Sequence, residues 1–125
     1  MKVSLDTHVA LWWYQNPKLL SKEALAIMEN DENTIYLSTV VVWEIMIKKM
    51  NSKIKVPDTI FDDFKVDFIE LPIMNTHVSE IGKLKMIHRD PFDRMLLAQA
   101  RVEKLTLMTR DKDILKYNDF QFIKA

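Results

Sequence analysis

Short apolar runs with strand character alternate with helical stretches along the whole chain, and this alternation constrains the fold more than any other feature. Strands are expected at residues 2–5, 34–37, 68–71, 105–108 and 120–123, which are β-rich and bounded by polar residues. Helices are expected at 9–14, 22–30, 39–50, 59–64, 75–85, 91–103 and 111–117, with Ser21 and Ser38 or Thr39 as N-caps. Strands separated by helices predict an α/β fold, a three-layer sandwich with a mostly parallel central sheet flanked by helices. No Pro/Gly/Ser-rich linker or repeat divides the chain, so residues 1–125 are expected to form a single domain.

In such sheets ligands bind outside the carboxyl ends of the strands. Asp6 follows the first expected strand and Asp111 the fourth. Glu44 interrupts the apolar run Val40-Val41-Val42-Trp43-Glu44-Ile45-Met46-Ile47. Asp93 lies one turn into the best helix, after His88-Arg89-Asp90-Pro91-Phe92. Each acid also has an ordinary explanation. Asp90 fits an N-cap with Pro91 at the first helical position, and Asp93 falls where a capping-box acid would. Asp6 and Asp111 fit caps of the helices that follow them. Glu44 fits an ion pair with Lys48 one turn on, worth about 0.3–0.5 kcal/mol. Leaving it buried and unpaired among those apolar neighbours would cost several kcal/mol, so it is expected to be partly buried and to face a site. Carboxylates gathered in one place repel unless a cation holds them. The four together point to a hard divalent ion and to chemistry on a phosphate.

Gly82 is the sole glycine, which excludes a Walker loop and a Gly-x-Gly-x-x-Gly nucleotide fingerprint. The chain has no cysteine, so it has neither disulfides nor a thiolate metal site. Eighteen basic and eighteen acidic residues cancel, so any polyanion must be met by a local patch. Arg89, Arg94 and Arg110 flank the acids and are the candidate phosphate contacts. The histidines lack metal-ligand spacing, and His8 and His88 read as polar loop residues. No apolar run spans a bilayer and no signal peptide precedes Asp6, so a cytoplasmic location without membrane contact is expected.

The chain resembles a PIN-domain ribonuclease of the VapC toxin type almost from end to end. The resemblance rests on Leu5-Asp6-Thr7-His8 with Leu11-Trp12-Trp13, on Trp43-Glu44-Ile45, on His88-Arg89-Asp90-Pro91-Phe92-Asp93-Arg94, on Leu97-Ala98-Gln99-Ala100 and on Thr109-Arg110-Asp111. The His-Arg-Asp-Pro-Phe-Asp-Arg block is the specific part. The resemblance implies a PIN fold in which Asp6, Glu44, Asp93 and Asp111 bind Mg²⁺ or Mn²⁺ and hydrolyse RNA phosphodiester bonds. Asp90 is an outer candidate, and Thr7 and Thr109 are candidates to orient ligands or phosphate. It also implies a homodimer silenced by a cognate antitoxin protein. The family often carries a glycine near Asn51-Ser52, which this chain lacks. Two other functions compete. One is a non-catalytic protein-binding module whose acids are only caps and surface charges. The other is a phosphatase with Asp6 as covalent nucleophile, for which His8 stands where a second acid is usual.

Overall fold

The computed structural model describes residues 1–125 and has at its centre a five-stranded, wholly parallel sheet. The strands are β1 (Lys2–Leu5), β2 (Thr34–Ser38), β3 (Ile69–Leu71), β4 (Thr106–Thr109) and β5 (Phe122–Lys124), in the spatial order β3-β2-β1-β4-β5. Parallel neighbours require crossover connections, and these carry α1 (Thr7–Gln15), α2 (Lys22–Glu29), α3 (Thr39–Met50), α4 (Ile60–Asp67), α5 (Asn75–Ile81) and α6 (Pro91–Glu103). β1 is central: Ser4 pairs with Tyr36 of β2 on one side and Leu107 of β4 on the other. It is covered on both faces, which is why Val3, Ser4 and Leu5 are all buried, although successive side chains point to opposite faces. From β1 the chain steps outward through β2 and β3, then returns to the other side of β1 with β4 and β5. The strand order therefore reverses at β1 and β4, and the crevice at their carboxyl ends is where this topology offers a binding site.

The helices follow local signals. Asp90 caps α6 by accepting from the Asp93 N–H at 3.0 Å, and Pro91 occupies the first turn. Met95, Leu96, Leu97, Ala98 and Ala100 are then buried against the sheet and α5. Ser38 caps α3, and its hydroxyl also donates to Gln99 Oε1 of α6 at 2.6 Å. Gln99 Nε2 donates onward to the Pro72 carbonyl. This buried chain of hydrogen bonds fixes the start of α3 against α6, and hence Glu44 relative to Asp93.

Three expectations need correction. The helix expected over 75–85 ends at Ile81, with Gly82 at its C-cap, and residues 82–90 form an irregular loop. The helix expected over 111–117 is only a 3₁₀ turn, Ile114–Lys116, because Asp111 Oδ1 takes the N–H groups of Asp113 and Ile114 and forms an Asx turn instead. The last strand starts at Phe122 rather than at 120. Two non-glycine residues, Ser52 and Lys104, adopt the left-handed conformation at φ 57°. Lys104 directly follows α6, and Ser52 lies one residue past the Asn51 cap of α3, positions where glycine is the residue best suited. No helix is long and apolar enough to cross a membrane.

Candidate metal centre

Asp6 leaves the end of β1 and caps α1. Its Oδ1 accepts from the Val9 N–H at 2.9 Å, and its Oδ2 accepts from the Thr109 hydroxyl at the end of β4. It is buried, at 4% exposure. Burial pushes its carboxyl above the ordinary range, and the nearby Asp111 adds to the effect, against the hydrogen bonds from Thr109 and Val9. The Thr109 hydroxyl also accepts from the Asp111 N–H at 3.0 Å, so one side chain ties two acids to one strand end.

Glu44 satisfies both of its sequence-based descriptions. It forms the expected pair with Lys48, Oε2 to Nζ 3.1 Å, and its side chain is only 14% exposed. Its Oε1 accepts from the Thr7 hydroxyl at 2.5 Å, which draws it toward the start of α1. Asp93 does not close a capping box. Its Oδ2 lies 2.7 Å from Nε2 of His88. Burial lifts the Asp93 carboxyl to about 6, with Asp90 and Asp111 raising it further and His88 opposing them.

Asp6, Glu44, Asp93 and Asp111 therefore line one cleft of about 210 Å³, together with Thr7, His8, Asp90, Lys48 and His88 and without an apolar wall. A second hollow of about 220 Å³ shares Asp6, His8 and Asp111 and extends the groove toward Trp12 and Arg110. With Asp90 at the margin, five acids meet in this cleft with a single lysine beside them. Two of the carboxyls, Asp6 and Asp93, are pushed upward, chiefly by burial and further by neighbouring acids. An all-oxygen donor set of this kind fits a hard divalent cation such as Mg²⁺ or Mn²⁺.

The arginines divide. Arg89 is exposed on the loop before α6. Arg110 lies at the groove, but its guanidinium sits 4.6 Å over the Trp12 ring and donates to the carbonyls of Leu19 and Ala125. Arg94 is a correction: it is buried, at 8% exposure, and does not face the cleft as a phosphate contact. Its Nη1 donates to the carbonyls of Lys85 and His88, both at 3.2 Å, and to the Tyr117 hydroxyl at 3.3 Å. Its Nη2 donates to the Ile81 carbonyl at 3.0 Å. Arg94 thus holds together the loop after α5, whose backbone has no helix or sheet to pair with. His88 is a second correction, since it belongs to the cleft and is not simply a loop residue. Its five-residue separation from Asp93 matches no helix or strand period, so only the folded loop brings the two together.

The sequence profile described as PIN domain matches residues 3–120. Several solved structures share the fold. The crystal structure of DNA-bound VapBC from Salmonella typhimurium matches with TM-score 0.76 at 15% identity, over 98% of this chain and 97% of that one. VapBC2 from Rickettsia felis, bound to a DNA fragment from the promoter, matches with TM-score 0.74 at 18% identity, over 98% of both chains. A toxin–antitoxin complex from Klebsiella pneumoniae matches with TM-score 0.66 at 19% identity, over 98% and 96%. No curated protein sequence matches. At such identities these structural likenesses concern the fold. With the profile covering nearly the whole chain, and with acids gathered at the switch point of a parallel sheet, the chain belongs to the PIN domain family.

Proposed function

We propose that this protein is a metal-dependent endoribonuclease and the toxin of a VapBC-type toxin–antitoxin pair. One observation carries the proposal: Asp6, Glu44, Asp93 and Asp111, from four separate elements, converge in a cleft with no apolar lining. The toxin–antitoxin complexes that share the fold supply the biological context. A divalent ion held by these four acids would supply Lewis acidity toward a phosphodiester and an acidic coordinated water.

The chain's own residues do the rest. Thr109 and Thr7 orient Asp6 and Glu44 by donating to them, which keeps their remaining lone pairs aimed into the cleft. Asp90 lines the cleft but spends one oxygen on the cap of α6, so it acts from the edge. Lys48 balances Glu44 and stands where a backbone phosphate would enter. Arg110 lines the groove and Arg89 is exposed on the loop before α6, so both can add phosphate contacts, whereas the buried Arg94 cannot. A cognate antitoxin would keep the enzyme silent by occupying the groove, and the active form would be a homodimer.

The proposal is tested in cells. The wild type, expressed alone, should arrest growth and leave discrete RNA fragments. Asp6→Asn should do neither, and co-expression of the small open reading frame beside the gene should restore growth. Equal RNA fragmentation by wild type and Asp6→Asn would remove the proposal.

A further inference from the structure

His88 is fixed by the fold, not free on a loop. Its N–H donates to the Tyr117 hydroxyl at 3.2 Å, and its carbonyl accepts from Arg94. Both partners are buried. The ring is thereby presented to three carboxylates at once. Its Nε2 lies 2.7 Å from Asp93 Oδ2. A ring nitrogen and one oxygen each from Asp111 and Asp113 also lie within 4.8 Å of one another. Nε2 is engaged by Asp93, and Nδ1 makes no hydrogen bond within the protein. An imidazole backed by a carboxylate, with its other nitrogen available, is the arrangement in which histidine most often ligates metals.

We propose that His88, Asp111 and Asp113 form a mixed nitrogen–oxygen seat for a divalent transition-metal ion, sharing Asp111 with the four-acid cluster. The inference rests on the assignment of the cleft as a metal centre and adds a position to it. Asp93 serves both positions: Oδ2 holds His88, and Oδ1 remains for the first ion. Asp113 is exposed and paired with Lys116 through Oδ1 at 3.0 Å, which leaves Oδ2 for the ion. Imidazole is a poor donor for Mg²⁺ and a good one for transition-metal ions, so this seat discriminates between Mn²⁺ and Mg²⁺ where an all-carboxylate site does so weakly.

The test is binding of Mn²⁺ to the full chain, counted by calorimetry and examined by pulsed electron paramagnetic resonance. Wild type should bind two ions, one of them showing nitrogen modulation from the imidazole. His88→Gln and the surface change Asp113→Asn should both weaken that ion by about tenfold or more, and Asp113→Asn, which lies outside the four-acid cleft, should leave Mg²⁺ binding unchanged. Asp6→Asn should lose the other ion and keep the nitrogen signal. Bound Mn²⁺ without nitrogen modulation, or unchanged affinity in both His88→Gln and Asp113→Asn, overturns the proposal. In that case loss of the ion in Asp6→Asn would still support the four-acid centre. A wild type that binds no Mn²⁺ overturns both.

Discussion

Thr109 donates a hydrogen bond to Asp6 across the carboxyl ends of β4 and β1, although 103 positions separate them in the chain. The same hydroxyl accepts from the Asp111 N–H, so it links two acids on adjacent strands. Thr109→Val preserves shape and removes both bonds. The buried Asp6 carboxyl then loses a donor, and the Asp111 N–H loses its acceptor. Urea denaturation should show a loss of about 1–3 kcal/mol, the usual cost of unsatisfied buried polar groups. Mn²⁺ affinity should fall in parallel, because the carboxylates are no longer held in place.

Arg94 and Arg89 stand five positions apart and should behave oppositely. Arg94→Met leaves the carbonyls of Ile81 and His88 without this donor, while the Lys85 carbonyl keeps only the Tyr117 hydroxyl. It should cost about 2–3 kcal/mol in equilibrium unfolding. Arg89→Ala touches an exposed side chain and should change stability by no more than about 0.5 kcal/mol. Its effect should appear in RNA affinity and in the salt dependence of that affinity.

Lys104 and Ser52 pay for a left-handed backbone that glycine adopts without penalty. Lys104→Gly, just past the C-terminus of α6, should therefore raise stability by about 0.5–1 kcal/mol. Ser52→Gly, after α3, should do the same, and thermal melts of the two single variants and the double variant check both magnitude and additivity.

Asp93 gives the metal-free protein a pH dependence of defined sign. Its carboxyl rises from an ordinary 3.8 to about 6 in the fold, so the folded state holds its proton more tightly than the unfolded one. The stability this contributes is present below the unfolded value and is lost as pH rises through about 6. Between wild type and Asp93→Asn, the difference in melting temperature should therefore shift in favour of the variant as pH climbs from about 4 to about 7. Added Mn²⁺ should reverse this trend for wild type, because an ion held by the ionised carboxylates of the folded state alone would stabilise it.

The sheet and most helices were legible because their signals are local. Alternation of short β-rich runs with amphipathic segments announces a parallel sheet, and Asp90-Pro91 marks the start of α6 exactly where the chain turns helical. Asp6 and Asp111 could be placed at strand ends from pattern alone. Glu44 could be singled out because an acid amid Val41, Trp43 and Ile45 needs a reason. What escaped depends on long-range pairing. Arg94 lies within a charged motif, and only the folded loop shows its guanidinium turned inward onto carbonyls. His88 looks like a loop residue until Tyr117, 29 positions away, fixes its backbone. The sequence after Asp111 reads as a fuller helix than the 3₁₀ turn that forms, because an Asx turn and an N-cap use the same side-chain chemistry.

Four carboxylates gathered beside the carboxyl ends of β1 and β4 are proposed to hold a divalent ion for RNA hydrolysis. The most direct measurement is cleavage of a labelled RNA by purified protein in Mn²⁺, in Mg²⁺ and in chelator, for wild type and for Asp6→Asn, Glu44→Gln, Asp93→Asn and Asp111→Asn. The account predicts cleavage by wild type only when metal is present, and a loss of at least about a hundredfold in each variant while all remain folded. Metal-independent cleavage, or full activity in a folded Asp6→Asn protein, would contradict it.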